Sequence, residues 1–427
     1  MTEGLQDKAL EQPSIGEWLA MSFRIGCLSF GGAAGQIAMM HRLLVEERRW
    51  VSERDFLDGL NFCTLLPGPE AQQLATWLGW RLHGIRGGLI SGILFVLPGA
   101  LLILALAQLY VRGAGLPAVE GLLLGIKAAV IAIILEALIR LSRKALGSTA
   151  FRALALVAFL AMAFTTLPFP AIIGVAALAG SLLARGRTPG PAPAAAPAGF
   201  SWRVAGLTFG MWWLPVGAAA LILGGQHLLV EIGLFFSKLA VITFGGAYAL
   251  LAYLVEEGVR RGWASPGEML DALGLAETTP GPTILVNPFI AFLGGFKSAG
   301  SLMGWLAGLM ALWVTFAPSF LWIFAGGPYI ERINRNPRLA GALKGIGAAV
   351  VGIIASVALK FGTLFLVPGS IRWEAGWLSA IVPAGMPDGK ALILSALALG
   401  LTFAYPVPLV RRLMVVMISG LALRLVA

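Results

Sequence analysis

The chain has 427 residues, of which 58% are hydrophobic and only 12% charged, about half the charged fraction of a soluble domain. That balance excludes a soluble enzyme, a disordered protein and a nucleic-acid-binding protein, and it leaves a polytopic α-helical membrane protein. The net charge of +10 sits mostly in loops between apolar runs, where basic residues set topology.

Residues 1–13 are polar and nearly charge-balanced, without the basic start of a cleavable signal. The first apolar run therefore reads as an uncleaved anchor. Apolar segments follow at 15–40, 56–82, 85–111, 116–139, 150–164 and 168–184. A Pro/Ala/Gly tether covers 185–199. Seven more segments lie at 204–223, 228–256, 269–296, 299–324, 339–367, 391–405 and 407–425. The reading is an all-α polytopic membrane protein with about 13 transmembrane or re-entrant helical segments.

The chain repeats itself. Ser29-Phe30-Gly31-Gly32 matches Thr243-Phe244-Gly245-Gly246, and Pro67-Gly68-Pro69 matches Pro280-Gly281-Pro282. Between these, Trp50, Ser52, Leu57, Asp58 and Leu60 match Trp263, Ser265, Leu270, Asp271 and Leu273. Beyond them, Pro98, Gly121 and Gly125-Ile126 match Pro318, Gly341 and Gly345-Ile346. The expected organisation is a first repeat over 1–184, a linker over 185–203, a linking transmembrane helix over 204–224 and a second repeat over 225–427. Matching segments are an odd number apart, so the second repeat is expected to enter the membrane inverted, as in many secondary transporters.

Lys and Arg favour the N-terminal side of the membrane roughly two to one. This predicts a cytoplasmic N-terminus and a C-terminus outside. The loop with Arg42, Arg48, Arg49 and Arg54 dissents. A re-entrant pair formed by the first two segments would resolve that dissent and preserve the parity.

Four constellations carry candidate chemistry. Phe30-Gly31-Gly32 and Phe244-Gly245-Gly246 expose backbone within apolar runs, either for close helix packing or to line a cavity. Pro67-Gly68-Pro69 and Pro280-Gly281-Pro282 interrupt a helix and start a new half-helix, whose free N–H groups and positive dipole end suit an anion. Arg24 and Lys238 each lie six residues before a repeated Phe. They read either as cations converging on a dianion or as side chains snorkelling toward headgroups. Intramembrane carboxylates form the fourth set. Glu70, Glu277, Asp58, Asp271 and Glu136 are proton-coupling candidates, with Glu120 and Lys127 on one helix face.

The two cysteines, Cys27 and Cys63, read as small core residues. His41, His83 and His227 are too scattered for a metal site. There is no Walker A motif and no nucleophile elbow. No metal, no cofactor and no enzymatic activity are expected.

The paired motifs resemble the chromate ion transporter (CHR) family, in its long two-domain form. The stretch Leu66-Pro67-Gly68-Pro69-Glu70-Ala71-Gln72-Gln73-Leu74-Ala75 is especially similar, with Gly79-Trp80, His83-Gly84 and Phe95-Val96-Leu97-Pro98-Gly99. The resemblance covers nearly the whole chain. It implies a secondary transporter of the inner membrane that exports chromate, confers resistance to it and is driven by membrane potential or a proton gradient. Sulfate, of the same shape and charge, is the natural competitor. The implied partners are the oxyanion and membrane lipid, with a homodimer left open. The second repeat departs after Pro282, where Thr283-Ile284-Leu285-Val286-Asn287 replaces Glu70-Ala71-Gln72-Gln73-Leu74. Gln72, Gln73 and Thr283 are then candidate donors to the substrate beside Arg24 and Lys238. A transporter of sulfate or another oxyanion, and a passive anion channel, remain the alternatives.

Overall fold

The computed structural model describes residues 12–64, 66–113, 115–184, 202–242, 247–405 and 407–425, with side chains at 247–252 and 327–335 outside that description. The chain is an all-α membrane protein. Among the described residues, five helices are long and apolar enough to cross a membrane, at Glu70–Gly113, Pro117–Ala145, Trp202–Leu223, Thr283–Gly326 and Pro337–Leu366.

Helix α1 (Ile15–Leu28) begins with a capping box, in which Ser14 and Glu17 satisfy each other's backbone N–H groups. Its apolar face, Trp18, Met21 and Ile25, is buried. At Gly31 and Gly32 the backbone takes positive φ, 86° and 70°, which a side chain disfavours. The chain breaks there and returns as α2 (Gly32–His41), which a π-helical turn extends to Glu47. The return brings the Trp50 ring to 6.2 Å from Trp18. So α1 and α2 form a hairpin with Phe30-Gly31-Gly32 at its tip.

A second hairpin follows. Helix α3 (Glu53–Cys63) leads to the Pro67–Pro69 tip. The long α4 (Glu70–Gly113) is two helices, since His83 (φ −133°, ψ 24°) and Gly84 (φ 61°, ψ −156°) leave the helical region. Residues 70–82 run back along α3, with Arg81 3.2 Å from Asp55 and Gly59 against the Trp77 ring. The chain then reverses, and Ser91 Oγ donates to Ala75 O at 2.7 Å. The reversal places the His83 ring 6.2 Å from Trp18. Both hairpins of the first half therefore open at the same end of the bundle. From that end, residues 85–113 span about 43 Å at 1.5 Å per residue.

Helices α5 (Pro117–Ala145), α6 (Thr149–Phe164) and α7 (Phe169–Leu183) complete the first half, and α8 (Trp202–Leu223) follows. In the second half, α9 (Leu228–Ile242) and α10 (Ala247–Arg260) make a hairpin. Its mouth is closed by an Arg261–Glu231 ion pair, with the Arg261 guanidinium 5.4 Å over Trp263. Helix α11 (Pro266–Thr278) leads through Pro280–Pro282 and a 3-10 turn (Thr283–Leu285) into α12 (Val286–Arg335). This helix too contains a reversal, at Ala299 (φ −151°, ψ 30°) and Gly300 (φ 78°, ψ −168°). The two breaks have nearly the same dihedrals, although the sequences His83-Gly84 and Ala299-Gly300 share only glycine.

The hairpins of the second half open at the other end of the bundle. Residues 85–113 start beside Trp18, whose Nε1 donates to Gly87 O. Their far part meets the second half's reversal, where Trp305 Nε1 donates to Gln108 Oε1 at 3.1 Å. Helix α13 (Pro337–Leu366) packs on α6 and α7 through small residues, with Gly352 against Ala155 O and Gly345 against Ala176 O.

A two-stranded antiparallel hairpin, β1 (Ile371–Ala375) with β2 (Leu378–Val382), interrupts the all-helical pattern. It occupies a stretch that the apolar pattern leaves as loop. Helix α14 (Gly389–Leu399), continued by a π-turn to Ala404, and α15 (Leu409–Leu425) close the chain.

The segments expected at 15–40, 56–82 and 269–296 are pairs of shorter helices bent at a Gly-rich or Pro-Gly-Pro tip, and that expected at 228–256 comprises α9 and α10, with residues 243–246 outside the described ones. The loop with Arg42, Arg48, Arg49 and Arg54 consequently lies at the same end as the start of α1, which removes the charge dissent. The stretch expected as a linking helix, 204–224, falls on α8. Most of the expected linker, 185–201, lies outside the described residues.

Candidate transport site

The Pro280-Gly281-Pro282 tip of the second half meets the first hairpin of the first half inside the bundle. Gly68 (φ 116°) and Gly281 (φ 107°) both sit in the left-handed half of backbone space, which only glycine enters without strain. The flanking prolines forbid a helix through the tip, so two half-helices end there. Gly281 N–H donates to Ser29 O at 2.7 Å. Gln36 Nε2 donates to the same Ser29 O at 3.1 Å and to Gly281 O at 2.7 Å. The first hairpin of one half thus holds the second Pro-Gly-Pro tip of the other.

Helix α4 passes the same tip at Gly99, where a Cβ would clash with the Pro280 carbonyl. At the other tip the arrangement is matched but looser. A Cβ on Gly68 would lie 3.5 Å from Ser319 Oγ of α12. Ser319 stands in α12 where Gly99 stands in α4, one residue after the matching Pro318 and Pro98.

Gln72 and Gln73, in the first turn of residues 70–82, are fully buried at 0% exposure. Gln73 Nε2 donates to Pro67 O at 2.7 Å and ties the tip to its own helix. Gln73 Oε1 and both polar atoms of Gln72 have no hydrogen-bond partner among the described residues. In the second half, Asn287 occupies the matching first turn, buried, with Nδ2 on Thr315 Oγ1 at 3.2 Å and Oδ1 unpartnered. Buried amides normally have partners, and an unmet one costs about 1–3 kcal/mol. Of these unmet atoms Gln72 Nε2 is a donor and the three amide oxygens are acceptors, so Gln72 Nε2 is the one that suits a ligand rich in acceptors. Thr283 is buried at the start of the 3-10 turn.

The candidate cations are placed differently. Arg24 lies on the exposed side of α1, opposite its packed face. Lys238 donates to Tyr253 Oη at 3.1 Å and lies 5.4 Å over that ring. No contact brings Arg24 and Lys238 together among the described residues. Phe30 is partly exposed at its tip. Phe244, Gly245 and Gly246 lie outside the described residues.

The carboxylates also separate. Asp58 is solvated, with its side chain 65% exposed, and pairs only loosely with Arg54. Its repeat partner Asp271 is buried and bound to Tyr110 and Lys127. Glu136 pairs with Arg412 at 2.9 Å, and Glu120 with Arg424. Glu70 is half-buried at the first turn, and Glu277 is buried just before the second tip. Glu120 and Lys127, both on α5, pair with different segments, Arg424 and Asp271. Sequence reading missed Gln36, Asn287 and Tyr110. Their only signal is a polar side chain in an apolar run, and the contact each makes is with a distant segment.

The family model described as "Chromate transporter" matches residues 17–181 and 230–424. A chromate transport protein of Cupriavidus metallidurans is 31% identical over 340 residues, covering 79% of this chain and 80% of that protein. A probable chromate transport protein of Synechococcus elongatus is 30% identical over 386 residues, covering 88% and 92%. A chromate transport protein of Pseudomonas aeruginosa is 31% identical over 352 residues, covering 81% and 80%. No solved structure matches.

Proposed function

This chain belongs to the chromate transporter family, and from that premise we propose that it is a secondary transporter that exports chromate across the inner membrane. It is a multi-pass membrane transport protein, not an enzyme. The observation that carries the reading is the Pro280-Gly281-Pro282 tip held by Ser29 and Gln36 of the other half, with buried amides beside both half-helix starts whose hydrogen-bonding is unmet among the described residues. Broken helices at such crossings are where transporters hold anions.

We read the halves, 1–184 and 225–427, as inverted repeats joined by the linker 185–203 and the helix 204–224. Matched tips, matched reversals and hairpin mouths at opposite ends support this. The Arg-rich loop 42–54 and Arg140, Arg143 and Lys144 then share one side, which the positive-inside rule assigns to the cytoplasm. The N-terminus is cytoplasmic and the C-terminus outside.

In the proposed cycle, free N–H groups at the starts of residues 70–82 and 283–285 face the dianion. Gln72 Nε2, Thr283 and the second Nε2–H of Gln73, whose first is held by Pro67 O, supply donors. Phe30, Gly31 and Gly32 shape one approach. Arg24 and Lys238, on exposed faces, raise the local anion concentration without gripping it. A membrane negative inside favours outward movement by about 2.3 kcal/mol per charge per 100 mV.

The test is chromate flux in proteoliposomes under an imposed potential, with sulfate as competitor. Gln72→Leu and Gln73→Leu are each expected to lower saturable flux about tenfold, as loss of a buried polar contact does. Arg24→Ala and Lys238→Ala are expected to raise KM a few-fold with kcat kept. Flux that never saturates would identify a channel instead. Sulfate carried as fast as chromate would move the assignment to sulfate. Full flux in both glutamine variants would sink the site.

A further inference from the structure

Asp271 and Asp58 occupy the same repeat position, yet only Asp271 is buried, at 2% exposure. It lies in the second turn of α11, inside an apolar bundle. Its Oδ2 accepts from Tyr110 Oη of α4 at 3.0 Å and lies 3.3 Å from Lys127 Nζ of α5. Its Oδ1 has no hydrogen-bond partner among the described residues. Other charge nearby is already committed. Glu268, one turn earlier on α11, is held by Lys297 of α12 at 2.7 Å and by Ser265 N at 2.6 Å. Among the described residues the charge of Asp271 is therefore balanced by Lys127 alone, across the boundary between the two halves.

This ion pair is mechanically connected to the transport site. Helix α11 carries Asp271 and runs on into Pro280-Gly281-Pro282, the tip that Ser29, Gln36 and Gly99 enclose. Lys127 and Tyr110 belong to the opposite half. A charge that pins α11 to that half also pins the tip.

Resting on the transport reading above, we propose that Asp271 is the proton-coupling site of this protein. One proton binds Oδ1 and neutralises the carboxylate. Lys127 keeps its own proton and loses its ion partner, and Tyr110 continues to donate to Oδ2. Helix α11 and its tip are then free to move, a bistable element switched by one charge. Asp271 lies toward the end where the second-half hairpins open, the outer end in the proposed orientation. A proton taken up there and released inside exchanges for an outgoing anion. The first half has no equivalent, because Asp58 is solvated and the position matching Lys127 is Gly347.

The test uses the full-length protein in proteoliposomes: wild type, Asp271→Asn and Lys127→Gln. Infrared difference spectra across a pH jump report protonation without any substrate. Wild type is expected to show a buried carboxylic-acid band that Asp271→Asn lacks and Lys127→Gln keeps at a displaced midpoint. Chromate flux is then driven by a proton gradient at zero potential, or by a potential at equal pH. The ratio of the first flux to the second is expected to fall about tenfold in Asp271→Asn. An unchanged band or an unchanged ratio in that variant overturns the proposal. A wild type with the band but without chromate flux keeps the site and overturns the transport reading instead.

Discussion

Gly99→Ala is expected to abolish chromate transport, to below roughly a tenth of the wild-type rate, although it adds one methyl group. The reason is where the methyl group lands. It would overlap the carbonyl oxygen of Pro280, and that oxygen belongs to backbone between two prolines and cannot swing aside. Relief requires α4 to move from the second tip, or the tip to move from Ser29 and Gln36. Overpacking of this kind costs about 1–3 kcal/mol and sometimes more. The matching residue in α12 is the internal control. Ser319 already carries a side chain, and the first tip leaves room for it. Ser319→Ala is therefore expected to transport normally. Flux in proteoliposomes and the thermal midpoint in detergent check both variants. Normal flux in Gly99→Ala would mean that the tip is not held against α4 during transport.

The second large effect is expected from Gln36→Leu. This side chain donates to both Ser29 O and Gly281 O, from a position 1% exposed. Ser29 O keeps the Gly281 N–H after the change. Gly281 O keeps no partner among the described residues, and a buried orphan carbonyl costs about 1–3 kcal/mol. Flux is expected to fall about tenfold with a lowered thermal midpoint. Gln36→Glu is expected to be worse, because it places a carboxylate where two carbonyl oxygens need a donor. A Gln36→Leu protein with full flux and an unchanged midpoint would show that the bridge between the halves is dispensable.

Much of this was readable before any fold was known. Scarce charge and thirteen apolar runs demand a helical membrane protein, because backbone in lipid must satisfy itself locally. The repeated Pro-Gly-Pro demands a chain break, because proline lacks an N–H and clashes with the preceding turn. Both are properties of neighbouring residues, so they are legible in a string. Helix reversals were harder to see. Nothing local distinguishes a run of apolar residues that crosses the membrane from one that turns back at a glycine. The hairpin form of 15–40 shows only when Trp50 returns to Trp18.

The pairing of side chains was not legible at all. Asp58 and Asp271 are the same residue at matching places in a repeat, yet one is solvated and the other buried against Tyr110 and Lys127. Gln36 becomes important only because Gly281, far along the chain, arrives beside it. Sequence by itself determined the class and the breaks, because hydropathy, proline and glycine act within a few residues. Tertiary structure alone decided which polar groups lie together in the core, because burial and partnership depend on segments that meet only after folding.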